Sequence, residues 1–202
     1  DEVGCKASQQ EIIRRYYNAL CARRQGMGSD EPVYKIELLM KQVGVTPENR
    51  PVIPAALAVA EATQGPATAI MLSDGQVVTG KTSALLGASS AALLNALKLL
   101  AQLPDELHLI SPEVIEPIQK LKVHHLGNRN PRLHTDEVLI ALSICAVTDE
   151  NAALALHQLD RLAGCEAHST VILSSVDEAV FRKLGVNLTC EPHYESNRLY
   201  HK

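Results

Sequence analysis

The sequence predicts an α+β protein in two parts: a helical subdomain over residues 1–65, then a three-layer α/β/α subdomain over residues 66–202. Three observations carry this. Up to Gly65 the apolar residues recur at helical spacing. From Pro66 short β-type runs begin, with "ATAIML" and "QVVTGK" flanking the turn residues "SDG". Near the end "STVILS", "VDEAVFRKLG" and "VNLTCEP" read as strand, helix and strand. Within one sheet that order implies parallel strands and a right-handed crossover.

The elements follow in order. "SQQEIIRRYYNALCARR" puts Ile12, Ile13, Tyr16, Tyr17 and Leu20 on one helical face, with Ser8 predicted as its N-cap and Gly26 and Gly28 ending it. "EPVYKIELLMKQVG" is a second amphipathic helix stopped at Gly44. Thr46-Pro47 opens a capped turn, and "PAALAVAEATQG" is helical to Gly65. After the hairpin, "SALLGASSAALLNALKLLAQL" is a small-residue helix suited to close packing on a sheet. "ELHLISP" reads as a buried strand and "PEVIEPIQKL" as a short helix. "TDEVLIALSICAV" and "TDENAALALHQLDRL" are two more helices, with Thr135 and Thr148 where N-caps belong.

Bulk properties narrow the function. A chain of 202 residues buries roughly 70% of its unfolded surface, so it needs neither disulfides nor metal to hold a core. The net charge of −4 argues against a nucleic-acid surface, and 3% aromatics leaves little to stack bases on. Five cysteines (Cys5, Cys21, Cys145, Cys165, Cys190) are odd in number and form no C-x-x-C, which suits free thiols in a cytoplasmic setting. No apolar run approaches the ~18–20 residues that span a membrane. The opening "DEVGCKAS", without Met and close to a helix, reads as the cut edge of something longer.

"GQVVTGKT" over residues 75–82 fits the P-loop pattern G-x-x-x-x-G-K-[ST] letter for letter. A P-loop folds compactly so that its N–H groups wrap phosphates. Here Val77, Val78 and Thr79 favour an extended strand, and Gly75 belongs to the hairpin turn, so the match is accidental. A smaller reading survives: Gly80, Lys81, Thr82 and Ser83 stand between a strand end and a helix, where an anion can be held. The plainer alternative is a simple turn with Lys81 in solvent.

The stretch from "AIMLSDGQVVTGKTSALLGASSAALLNAL" to "HLISPEVIEPIQ" resembles the cytidine-deaminase fold. That fold opens with a β-hairpin and continues helix, strand, helix. Zinc deaminases carry a ligand and a Glu on the first helix and P-C-x-x-C at the second. Here Pro112 matches the proline, while Glu113 and Glu116 occupy the two cysteine positions and "GASSA" offers no ligand. The departure removes the donors zinc needs, so the resemblance implies a scaffold without zinc chemistry. Glu113 and Glu116 could hold Mg²⁺ or Mn²⁺, or simply complement the helix dipole.

The whole chain also resembles the C-terminal region of an uncharacterised bacterial protein family, through "EIIRRYYNALC", "VYKIELLMKQ", "SPEVIEPIQ", "LHTDEVLIALSICA", "GCEAHSTVILS" and "LGVNLTCEPHYE". Some members bear an ATP-dependent peptidase label, but no catalytic residue comes with it. The resemblance implies an N-terminal portion as the first partner.

Three further constellations remain. Cys165-Glu166-Ala167-His168 and Cys190-Glu191-Pro192-His193 hold zinc-type donors, yet parallel strands would put the pairs at opposite edges of the sheet. His134, Asp136 and Glu137 at a helix start could serve as general acids or bases, or as capping groups. His168, Ser169 and Thr170 open a predicted strand, and a Cys165–His168 peptidase pair lacks a third orienting group. The function these features suggest is structural and ligand-binding: the C-terminal portion of a larger cytoplasmic protein with an anion pocket at Lys81. The alternative is a Mg²⁺- or Mn²⁺-dependent enzyme domain acting on a phosphorylated or nucleotide-like substrate. Exposed helical faces allow a homo-oligomer.

Overall fold

The first helix starts well before its predicted cap. The computed structural model describes residues 2–195, and α1 runs Glu2–Arg24. Ser8 lies inside it, donating its hydroxyl to the Gly4 carbonyl, an i−4 bond open to a helical serine. Gly26 ends the helix with φ +75°. Helix α2 (Asp30–Val43) closes on Gly44 in the left-handed region, as the sequence suggests. Thr46 and Asn49 then cap a short 3₁₀ turn over Pro47–Asn49, and α3 (Val52–Thr63) leads to the sheet.

Four strands form that sheet: β1 (Ala67–Met71), β2 (Val77–Lys81), β3 (Glu166–Ser169) and β4 (Asn187–Cys190), in the order β2-β1-β3-β4. β1 is antiparallel to both β2 and β3, while β3 and β4 are parallel, as the strand–helix–strand reading requires. Helix α8 (Ser175–Lys183) makes their connection. Between the hairpin and β3 come α4 (Ala88–Leu100), α5 (Pro112–Lys120), α6 (Thr135–Cys145) and α7 (Glu150–Leu156).

Strand alternation divides the apolar residues between two faces. Ile70 of β1 and Ala167 of β3 join the main core with Leu93, Leu97, Leu142 and Phe181. Ala69 faces the other way, onto Val52 and Ala56 of α3. Next to it Ile13 and Tyr17 of α1 pack with Met40 and Ile53. The described residues are thus α+β, with the N-terminal helices forming one outer layer and α4–α8 the other.

The hairpin glycine Gly80 fixes the fit between β2 and α4. A Cβ there would lie 2.1 Å from the Ala92 amide nitrogen and 2.6 Å from the Ala88 carbonyl. No side chain fits, so the strand and the small-residue end of the helix touch backbone to backbone.

Four further local predictions need correction. "ELHLISP" is a turn-rich loop, not a strand. Leu109 and Ile110 are buried in the main core all the same, so their hydrophobicity reflects burial without pairing. The strand that the cytidine-deaminase resemblance requires after the hairpin and helix is therefore missing from that position, and the deaminase arrangement is not established. Strand β3 falls at "EAHS" rather than "STVILS"; Thr170 leaves the ladder when its hydroxyl accepts the Ala67 amide. His134, not Thr135, precedes α6 as N-cap, and Asp149, not Thr148, caps α7 through the Asn151 and Ala152 amides.

Candidate functional site

The sheet direction brings most of the residues singled out by sequence to one end. β2, β3 and β4 finish there, and β1 starts there, because Ala67 pairs with Lys81, Thr68 with Ser169, and Ser169 with Cys190. The following segments interlock: Thr82 N–H donates to the Pro66 carbonyl, Thr170 N–H to Ala67, and Ile172 N–H to His193. Ligands in α/β sheets commonly sit beyond strand carboxyl ends, so this end and the adjoining edge of β2 are the candidate site.

Beside β2 runs a groove of about 630 Å³, with Val59 of α3 on one side and Ala91, Asn95, Lys98 and Leu99 of α4 on the other. Thr79, Gly80, Lys81 and Ser83 form its floor and rim. The Asn95 amide donates to the Thr79 carbonyl at 2.9 Å, which ties α4 to the strand edge. Lys98 reaches the Asp105 carbonyl at 2.5 Å and its carboxylate at 3.7 Å. Lys81 is exposed, and among the described residues no carboxylate forms an ion pair with it.

The geometry changes the reason an anion would bind here. Six residues separate Lys81 from α4, and the Thr82 and Ser83 amides already donate to Pro66 and Leu86. Ser83 Oγ accepts from the Leu85 and Leu86 amides. Backbone amides at Thr82 and Ser83 and the α4 dipole are thus not aimed at a ligand; side chains would have to hold it. Val77–Lys81 being a strand likewise removes the phosphate-wrapping loop that the P-loop letters suggest.

Beyond Ser83 the same surface continues to Arg132. Its guanidinium donates to the Ser83 carbonyl at 2.8 Å and pairs with Glu195 at 2.9 Å. Two residues on, His134 Nδ1 lies 3.1 Å from Asp177 Oδ2. Asp177 also accepts from the Thr135 amide and hydroxyl and from Ser174 Oγ. Burial opposes ionisation of Asp177, but these hydrogen bonds outweigh it and its pKa falls below the ordinary value. The same contact raises the pKa of His134 against the cost of its burial. Glu137 instead accepts the His134 amide and the ammonium of buried Lys122, at 2.8 and 2.7 Å. A π-type turn over Leu121–His125 turns Lys122 inward, where it also reaches the Arg132 carbonyl. Asp136 Oδ1 accepts the Glu137 amide.

His168 belongs to a separate, buried network on the opposite face of β3. Its Nδ1 meets Thr189 Oγ1 at 2.8 Å, its Nε2 meets Glu191 at 3.1 Å, and the Tyr17 ring stands edge-on 5.0 Å away. Burial lowers the His168 pKa despite the Glu191 carboxylate. Arg50, with no exposed surface, pairs with Glu166 and donates to the Ala167 and Asn187 carbonyls at 2.9 and 2.8 Å. Arg14 of α1 takes the other Glu166 oxygen at 2.6 Å. Ser169 turns to the Val171 carbonyl.

The two C-E-x-H segments meet, contrary to the expectation from strand direction. The shift of β3 to "EAHS" puts His168 level with the end of β4, within reach of Glu191. Cys165 and Cys190 still lie at opposite ends of the parallel pair. Burial raises the pKa of both thiols, the reverse of what a nucleophile or metal ligand needs. No group of three or more His, Cys, Asp or Glu side chains suited to a metal occurs among the described residues. Glu113 and Glu116 are exposed on α5, with Glu113 held below its usual pKa by its own backbone amide and Ser111 at the helix start.

Sequence reading missed Asp177, Arg132, Lys98 and Arg50. Asp177 carried a signal, since Ser174 and Asp177 form an S-x-x-D cap at the start of α8. Its meeting with His134, 43 residues away, carried none.

Comparison with known proteins settles the family. Residues 48–200 match the C-terminal part of the domain of unknown function DUF1846, and residues 1–44 match its N-terminal part. The chain belongs to the DUF1846 family. UPF0371 proteins of Corynebacterium urealyticum and Corynebacterium efficiens are each 54% identical over all 202 residues, and one from Streptococcus pyogenes is 52% identical. The chain spans 41% of the length of each. It corresponds to the C-terminal part of these longer family members. None of their names states an activity. No helix among the described residues is long and apolar enough to cross a membrane.

Proposed function

We propose that this chain is the ligand-binding and structural C-terminal portion of a larger bacterial cytoplasmic protein, and that it takes an anion in the groove beside β2. The observation that carries this reading is the groove itself. Its volume of about 630 Å³ falls within the range of small-molecule sites. Val59, Leu99 and Leu103 give it apolar walls, while Lys81, Asn95 and Ser83 supply polar groups. That mixture suits a phosphorylated or nucleotide-like molecule: an apolar body against the helices and a charged group at Lys81. Lys98 is partly neutralised by Asp105, so Lys81 supplies the net positive charge.

Equilibrium binding of inorganic phosphate and of a nucleoside triphosphate tests this. Lys81→Ala is expected to weaken binding by roughly tenfold, the equivalent of one charge-assisted contact of about 1.4 kcal/mol. Equal affinity in the two proteins would remove Lys81 from the site.

The metal-dependent alternative rests on Glu113 and Glu116, two exposed carboxylates that join no group of three or more His, Cys, Asp or Glu among the described residues. It makes a separate claim: Glu113→Gln would abolish stoichiometric Mg²⁺ or Mn²⁺ uptake. Self-association has support of its own, because Ile140, Ile144 and Val147 stand exposed at i, i+4 and i+7 along and just past α6.

A further inference from the structure

We infer that the outer groove of the α1–α2 hairpin seats the rest of the N-terminal DUF1846 domain in the full-length family proteins, so that this hairpin fastens that domain to the C-terminal sheet. The inference rests on the chain being part of a longer protein and is independent of the anion groove.

The family boundary and the packing boundary do not coincide. By sequence, residues 1–44 belong to the N-terminal domain. By structure, their inner face is committed to the C-terminal part. Ile13 and Tyr17 share a core with Ile53, Arg14 pairs with Glu166 at 2.6 Å, and Cys21 Sγ donates to the Cys190 carbonyl at 3.1 Å. A two-helix segment of this size is smaller than an ordinary domain and has no second layer of its own.

The hairpin nevertheless has a second apolar side. Val33 and Met40 of α2 are buried inward. Ile36 packs at the edge of that same inner core, and the apolar surface continues outward from it through Leu39 and Val43, which are 41% and 48% exposed. Together with Ile12 of α1, Ile36 and Leu39 line a groove of about 550 Å³, rimmed by Glu11 and Arg15. A helix apolar on more than one side is one that expects more than one partner. A charged rim around an apolar strip fits an interface between domains of one chain. The occupant is present in every full-length protein: more than half of each relative lies outside the matched segment, and the hairpin is the part of this chain that the N-terminal family claims.

The test compares this 202-residue chain with the full-length Corynebacterium urealyticum relative. In hydrogen exchange, amides over residues 30–43 are expected to exchange at least tenfold more slowly in the full-length protein, with those of β3 and α8 unchanged. Equal exchange over residues 30–43 would overturn the inference. A second arm places glutamate at Leu39 and at the matching position of the relative. The short chain should keep its melting temperature, while the full-length protein should be cut by trypsin at least tenfold faster in its N-terminal part. A relative that resists trypsin as before would overturn the inference. So would a short chain that is dimeric and that Leu39→Glu makes monomeric while leaving the relative intact, since the groove would then belong to a second copy.

Discussion

Arg50 lies in the interior, paired with the Glu166 carboxylate and hydrogen-bonded to Thr189 Oγ1 and to the Ala167 and Asn187 carbonyls. Burial lowers its pKa, and the Glu166 carboxylate opposes that shift. Replacing it with Met leaves the Ala167 and Asn187 carbonyls without this donor and half of the Glu166 charge uncompensated. A loss of about 3–5 kcal/mol is expected in urea unfolding, the usual cost of breaking a buried pair from one side. Arg50→Lys should recover only part of it, because one ammonium cannot serve Glu166 and both carbonyls together. The half-buried His134 and the buried His168 respond to pH with opposite signs. His134 has a raised folded pKa, so its contribution is complete below the unfolded value near 6.5 and fades as pH rises through the folded value. His168 has a lowered folded pKa. The unfolded chain therefore takes a proton that the folded one refuses, and stability falls as pH drops below about 6.5. Chemical unfolding across pH 5–8 should show the high-pH loss vanish in Asp177→Asn. If that variant keeps the same high-pH slope, the His134–Asp177 contact is not its source.

At the scale of elements, Gly80 makes the sharpest prediction. Gly80→Ala puts a methyl group into the Ala88 and Ala92 backbone, so β2 and α4 must separate. Destabilisation of about 1–3 kcal/mol is expected, with disturbance confined in NMR spectra to β1, β2 and α4. A neutral Gly80→Ala would mean that the two elements do not touch as described. The exposed α6 stripe makes a different one: Ile144→Glu should reduce any self-association seen by sedimentation without lowering the melting temperature. Here too the limits of sequence reading have physical causes. Gly44, the Thr46-Pro47 turn and the "SDG" hairpin were legible because local backbone chemistry decides them. "ELHLISP" misled because buried apolar residues look alike whether or not their backbone pairs. "STVILS" misled because β3 ends through a tertiary contact, the Thr170 hydroxyl on the Ala67 amide, that no local window contains.

Across the whole molecule, the sheet separates a charged interior from a polar surface. On one face Arg14, Arg50, Glu166, His168 and Glu191 join α1 and the segment before α3 to β3 and β4, a role in cohesion. At the far end and along the β2 edge, Lys81, Ser83, Arg132 and His134 lie along the surface where ligands of such sheets sit. The α+β class and the general position of Lys81 were legible in sequence, because strand and helix order restrict the topology. Which candidates share a site was not, since it depends on a strand order and a register that only the folded chain displays.

The most direct test of the anion groove is a phosphate titration followed by amide NMR on the 202-residue chain. Anion binding in the groove is expected to shift amides at Thr79–Ser83 and along the Asn95–Lys98 turn of α4, an effect lost in Lys81→Ala. Shifts centred on His134 and Arg132 and indifferent to Lys81, or no shifts at millimolar phosphate, would contradict it.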